Sequence, residues 1–267
     1  MGGWFLLTVE SAESPVCFGV GDVFVVAGQS NAAGHGNGFI PTRTGLVSAC
    51  REDGGWRLLD GPEGLPGAMG NGSCWPILGD LLAKANGCPV GFVNVAVGGT
   101  NSREWIPGTP LYARLVEAIK EGCRAVLWHQ GEADEAMVRG STSLAETIMR
   151  GNSGLTHEWT YGNMAAMIQA SRKAVGWYVP WYVARASYSP DSTPEARRQV
   201  RYAQRRIVKD GLALPGPDTD LFVPPSMRHD GLHFNEVGLT VHALLWYRVL
   251  ELPGPRPHEF DPALDGM

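Results

Sequence analysis

The chain has 267 residues, enough for one large domain or two small ones. A hydrophobic share of 44% against 18% charged residues is a globular balance and excludes a disordered chain. The formal charge of −5 gives no general attraction to nucleic acid or to an anionic membrane, and no apolar run approaches the ~18 residues of a spanning helix.

Residues 4–9 read as a strand detached from the rest of the chain. The terminus lacks a basic region, and Phe5-Leu6-Leu7 soon meets Glu10 and Glu13, so no signal peptide is visible. The expectation is a cytoplasmic protein, or a secreted or periplasmic one whose leader has been removed. Residues 22–27 form a short β-branched run ending at Gly28, the pattern of a buried parallel strand. Residues 34–72 are rich in Gly and Pro without a period and predict a long loop region, the kind that usually carries function.

A helical stripe runs from Cys74 to Ala85 and stops at Asn86-Gly87. Val90 to Val97 is a second strand, closed by Gly98-Gly99. Thr109-Pro110 opens a helix as cap and first residue. Ala125 to Trp128 is a third strand, and residues 133–158 are ambiguous. Met164, Met167, Ile168, Ser171 and Val175 mark a helix ending at Gly176, and Val179 to Ala184 a fourth strand. A helix runs from Thr193-Pro194 to Gly211, Leu221-Phe222-Val223 is a short fifth strand, and Asn235 caps a last helix. Alternating strands and helices predict an α/β domain with a mostly parallel sheet, in which ligands bind beyond the carboxyl ends of the strands.

Three segments at those ends carry chemistry: Gly28-Gln29-Ser30-Asn31, His129-Gln130-Gly131-Glu132 and Asp230-Gly231-Leu232-His233. A nucleophilic serine needs a base to take its proton, an acid to orient the base, and donors aimed at the oxyanion. Ser30 is the candidate nucleophile; the plain alternative is that Ser30 or Asn31 caps a helix. Ala32 stands where a G-x-S-x-G elbow needs glycine, which argues against an α/β-hydrolase. Asp230 and His233, three residues apart, suit an acid and its base, although a loop carboxylate and a surface imidazole would have the same spacing. His229 and His242 are rival bases, the latter with the pattern of a core histidine.

The amide of Gln130, the backbone N–H of Gly98 or Gly99, and the N–H of Ser30 are candidate oxyanion donors. Glu132 suits either substrate hydroxyls or a structural hydrogen bond. His129 and Glu132 have a loosely metal-like spacing but lack a third ligand, so no metal and no cofactor are expected. Trp105 is a sugar-stacking platform or ordinary loop packing. The arginine-rich stretch 197–209 reads as a solvated helix face. The five cysteines fit neither a zinc site nor a redox pair; all are free, or Cys50 and Cys74 form one disulfide.

Val-Val-Ala-Gly-Gln-Ser-Asn at 25–31, Ala-Val-Gly-Gly-Thr at 96–100, Leu-Trp-His-Gln-Gly-Glu-Ala-Asp at 127–134 and Asp-Gly-Leu-His at 230–233 resemble, in order, the motif blocks of the SGNH hydrolases. More narrowly, they resemble the sialate O-acetylesterase-like branch that includes the acetylxylan esterases of carbohydrate esterase family six. The resemblance implies a three-layer α/β/α sandwich with a flavodoxin-like, five-stranded parallel sheet. It implies Ser30 as nucleophile, His233 as base and Asp230 as orienting acid. The oxyanion hole would come from Ser30 N–H, a glycine of the second block and Gln130, with Gln29, Asn31 and Glu132 in support. It also implies a catalytic domain over 16–267 and, in residues 1–15, an extension like the last strand of the β-rich domain that longer members carry upstream. The expected activity is metal-independent removal of O-acetyl groups from a carbohydrate. A lipase or thioesterase of the same superfamily, and a non-catalytic carbohydrate-binding relative, are the alternatives.

Overall fold

A computed structural model of the chain describes residues 2–7, 16–60, 72–141 and 157–251. Its strands are β1 (Gly3–Leu7), β2 (Val16–Val20), β3 (Asp22–Gly28), β4 (Val47–Cys50), β5 (Trp56–Leu58), β6 (Val90–Asn94), β7 (Ala125–His129), β8 (Trp181–Arg185) and β9 (Leu214–Asp218). Its helices are α1 (Ser30–Ala33), α2 (Trp75–Asn86), α3 (Pro110–Lys120), α4 (Glu132–Ser141), α5 (His157–Val175), α6 (Pro194–Lys209), α7 (Thr219–Phe222) and α8 (Glu236–Glu251).

The main sheet has seven strands rather than five, in the order β5-β4-β6-β3-β7-β8-β9. All neighbours are parallel except β4 and β5. Five of these strands, β6-β3-β7-β8-β9, have the flavodoxin-like order 2-1-3-4-5, and β4 with β5 extends that sheet at one edge. Two sequence expectations need correction. The loop region 34–72 contains β4 and β5, short strands hidden among glycines. Residues 221–223 are not the last strand: 219–222 are helical, and the strand is β9, Leu214–Asp218. Its two prolines disguise it, yet they are tolerated because β9 is an edge strand and needs only one row of ladder partners.

Alternation along the strands builds two cores. Phe24 and Val26 of β3 and Leu127 of β7 pack with Leu78, Leu82, Ala243 and Trp246 of α2 and α8. Val25, Ala27, Val126 and Trp128 face the other way, onto Leu115 and Ile119 of α3, Met164, Met167 and Ile168 of α5, and Ile207 of α6. This is the three-layer sandwich. Thr109 and Thr193 cap α3 and α6 as expected, accepting from Tyr112 N and Ala196 N, and Asn235 accepts from Gly238 N at the start of α8.

β1 is not solitary: it pairs antiparallel with β2 in a separate two-stranded sheet. The expected boundary at residue 15 lies outside the described residues, as does 142–156 of the ambiguous stretch, whose ends are α4 and the start of α5. Cys50 and Cys74 are free. Several arginines of α6 are paired rather than merely solvated: Arg201 forks onto Asp218 at 2.8 and 2.7 Å, and Arg206 reaches Glu158 at 2.7 Å. Among the described residues no helix is long and apolar enough to cross a membrane.

Candidate active site

The strand order reverses between β3 and β7, and both end at one crevice. Gly28 closes β3 with φ +123°, and a Cβ there would lie 2.1 Å from the carbonyl oxygen of His129 at the end of β7. Only glycine permits that approach. The chain then turns abruptly: Gln29 N donates to His129 O at 3.0 Å, and Ser30 opens the single turn α1. Ser30 is 4% exposed, and neither its side chain nor its N–H has a hydrogen-bond partner among the described residues.

Asp230 and His233 stand on a tight hairpin. His229 N bonds His233 O at 2.9 Å, and Gly231 takes φ +83° at the tip. One Asp230 oxygen accepts the N–H groups of Leu232 and His233 at 2.9 and 2.7 Å, and the other lies 2.6 Å from His233 Nδ1. Burial alone would raise the Asp230 pKa, but these bonds outweigh it and hold the carboxyl well below the ordinary carboxylate range. Nε2 of His233 has no hydrogen-bond partner among the described residues.

Of the rival histidines, His229 is 4.0 Å from Asp230, and its Nε2 lies 3.4 Å from His35 O. His242 is buried and takes a 2.9 Å hydrogen bond from Trp246 Nε1, and burial holds its pKa well below the ordinary value. It is the core histidine its pattern suggested.

Two links bring the hairpin to the serine. Asn31, next to Ser30, donates from Nδ2 to the carbonyl of Leu232, next to His233, at 3.5 Å. His35, whose N–H bonds Ser30 O, sets its ring 5.5 Å from that of His233. Gly98 lies against the same ring: a Cβ there would be 2.6 Å from His35 Cε1. The N–H groups of Gly98 and Gly99 have no partner among the described residues.

Around this cluster the polar side chains are buried and interlocked. Asn31 Nδ2 also donates to Glu132 Oε1 at 2.9 Å, and Gln29 Oε1 accepts Ala133 N at 3.1 Å. Gln130 gives one Nε2 hydrogen to Asp134 at 2.7 Å, while its contact to Thr100 O is long, 3.5 Å. Asp134 also accepts Ser102 N at 2.7 Å. Gly131 could be nothing else, since a Cβ would meet Ala186 O at 1.8 Å.

Trp105 is fully buried, bonds Thr100 Oγ1 at 3.0 Å and meets Trp128 edge-on, so it is core and offers no face to a sugar. The metal-like spacing of His129 and Glu132 also dissolves: His129 Nε2 lies 3.0 Å from Thr219 Oγ1, and Glu132 holds Asn31. Among the described residues, His229, Asp230 and His233 are the group whose ligand atoms lie within 4.8 Å of one another.

Arg228 was not singled out by any sequence pattern. It is buried between Tyr188 and Phe234, and its Nη atoms donate to the carbonyls of Leu232 and Val223. Burial lowers its pKa, and the nearby charges of Glu132 and Asp220 oppose that shift. It therefore grips the hairpin from within, at the carbonyl that Asn31 holds from the serine side.

Known proteins resemble this chain in sequence and fold. A probable carbohydrate esterase of Arabidopsis thaliana is 27% identical over 186 residues, 59% of this chain and 71% of that protein. A crystal structure from the same plant superposes with a TM-score of 0.61 at 21% identity, over 85% of this chain and 96% of that one. An acetyl-xylooligosaccharide esterase from a Geobacillus gives a TM-score of 0.54 at 14% identity, over 88% and 97%. The family described as carbohydrate esterase, sialic acid-specific acetylesterase, matches residues 69–213, just over half the chain. That span holds Gly98, Gly99 and Gln130, with Ser30 before it and Asp230 and His233 after it. The chain belongs to this family of carbohydrate esterases.

Proposed function

We propose that Ser30 is the nucleophile of a carbohydrate O-acetylesterase, with His233 as its base and Asp230 as the acid that orients the base. The observation that carries this reading is the docking of the Asp230–His233 hairpin on the serine turn through Asn31 and Leu232. Asp230 occupies Nδ1 and leaves Nε2 turned to its other task. In acylation, Nε2 takes the Ser30 proton as Oγ attacks the acetyl carbonyl. The tetrahedral oxyanion is met by the free N–H groups of Ser30 and Gly98 or Gly99. The second Nε2 hydrogen of Gln130, turned from its long contact with Thr100 O, completes the hole, with Asp134 fixing the amide. The protonated imidazole passes its proton to the departing sugar oxygen, leaving acetyl-Ser30. Water then attacks, His233 takes its proton, and acetate leaves with the serine restored. Glu132 and Gln29 act at one remove: the first holds Asn31, the second ties the turn to the start of α4.

Among the described residues, the segments around Ser30 and Gly98-Gly99 are glycine-rich and polar and supply no apolar stripe for a long acyl chain. A small pocket rejects each surplus methylene by sterics. The test compares kcat/KM for aryl acetate, butyrate and octanoate, with Ser30→Ala as the blank. Acetate should be fastest and octanoate nearly inert. A preference for octanoate would point to a lipase or thioesterase, and full turnover by folded Ser30→Ala would remove the nucleophile.

A further inference from the structure

Away from Ser30, a groove of about 850 Å³ opens on the α3 face of the sheet, between α3 and the β4–β5 hairpin. Its floor is the face of β6 carrying Val93 and Val95, and its outer wall is Trp56. The indole packs on Gly91, where a Cβ would be 2.7 Å from Trp56 Cζ3. Held in this way, the residue still leaves 45% of its surface to solvent. On a short edge strand and above a cavity, it offers a flat aromatic face to whatever enters the groove.

One end of the groove, at Arg51, lies toward the carboxyl ends of the strands, where the candidate active site stands. β4 runs parallel to β6, which runs parallel to β3, so the turn at Arg51 stands at the same sheet edge as Gly28. Two strand spacings separate β4 from β3, about 10 Å sideways. The polar lining supplies both donors and acceptors: Arg51 and Arg114 face Glu52, Asp53, Glu117 and Glu121. Arg51 is already held by Asp53 at 3.0 Å, and Arg114 donates to Asn94 O at 3.2 Å. Lys120 in turn holds Glu117 and Glu121, so these cations at the groove are already engaged and a phosphate or carboxylate finds no ready partner in them.

We propose that this groove is a second carbohydrate subsite, which binds a neutral oligosaccharide chain running on from the acetylated unit at Ser30. Trp56 supplies the stacking face, and the carboxylates accept from sugar hydroxyls. The role as an extension of the substrate rests on the esterase reading above; binding in the groove does not. A sialylated chain, carrying a carboxylate, is disfavoured there.

Isothermal titration of the full chain with unacetylated xylohexaose, cellohexaose and sialyllactose tests this. At least one neutral hexamer should bind, and sialyllactose should bind more weakly. Trp56→Ala should weaken the hexamer about tenfold or more, the loss of one aromatic face, whereas Trp56→Phe should keep most of the affinity. Glu117→Ala, on an exposed helix position, should weaken it without touching the core, so the test survives if Trp56→Ala is unstable. Equal affinity in Trp56→Ala and Glu117→Ala, no binding of either neutral hexamer, or tighter binding of sialyllactose would overturn the proposal. Aryl acetate hydrolysis by the same wild-type preparation reports separately on the esterase reading.

Discussion

At the scale of single residues, the proposed chemistry depends on an imidazole kept in one tautomer. Asp230→Asn should lower kcat by up to ~10⁴, because the oriented acceptor at Nδ1 is lost. His233→Ala should be at least as severe, and His229→Ala and His242→Ala much milder; the reverse order in a steady-state assay would reassign the base. The same carboxylate makes a stability prediction. Its folded pKa lies below its unfolded value, so its contribution is full above the unfolded pKa and is lost as pH falls toward the folded one. The melting-temperature gap between wild type and Asp230→Asn should therefore be largest near neutrality and shrink on acidification. Asp230 and His233 were legible in the sequence because the pair is local, three residues apart, and Ser30 because it follows a strand at once. Arg228 was not, since its partners are backbone carbonyls, which leave no mark on a sequence. Trp105 stayed between two readings for a related reason: a loop tryptophan looks the same whether it faces sugar or another indole.

At the scale of elements, the site is a meeting of strand ends and one hairpin. Gln130 sits where β7 hands over to α4, and Asp134, one turn on, fixes its amide. Gln130→Ala should cost about 3 kcal/mol of transition-state stabilisation, felt in kcat. A change confined to KM would return Gln130 to ground-state binding. The hairpin should be sensitive to its internal grip. Arg228→Lys keeps the charge but loses the two-armed hold on the Leu232 and Val223 carbonyls. Since small misplacements of a base are expensive, kcat should fall on the order of 10²-fold while KM for a small ester changes little. Wild-type kcat in the variant would reduce Arg228 to packing. The longer helices α2, α3, α5, α6 and α8 were readable from their stripes and caps, as Thr109, Thr193 and Asn235 show, whereas α4 fell in a stretch that read as ambiguous and α7 in one that read as a strand. β4, β5 and β9 were not readable, because strands of three to five residues, the first two set among glycines and the last carrying prolines, fall below any periodic signal, and their pairing comes from the neighbour rather than from themselves.

For the molecule as a whole, the central parallel strands and the placing of the motifs at their carboxyl ends were foreseeable, because a buried apolar run that stops at glycine marks both. The width of the sheet and its antiparallel edge were not, being properties of pairing. Two buried histidines should make the fold sensitive to acid. Burial depresses the pKa of His242, most strongly, and of His129, so the unfolded chain binds protons that the native one refuses. Stability should hold above the ordinary histidine value of 6.5 and decline as pH falls below it. Denaturant midpoints measured across that range check this, and a flat profile would mean that other groups compensate. The contact between Asn31 and the Leu232 carbonyl joins positions 201 residues apart. A loop of that length closes only after the intervening crossovers have found their places, so this contact has the topology of a late event. In refolding from denaturant, helical signal and tryptophan burial should return first and ester hydrolysis last. Catalysis then becomes a clock for the completion of a connection that spans 201 residues.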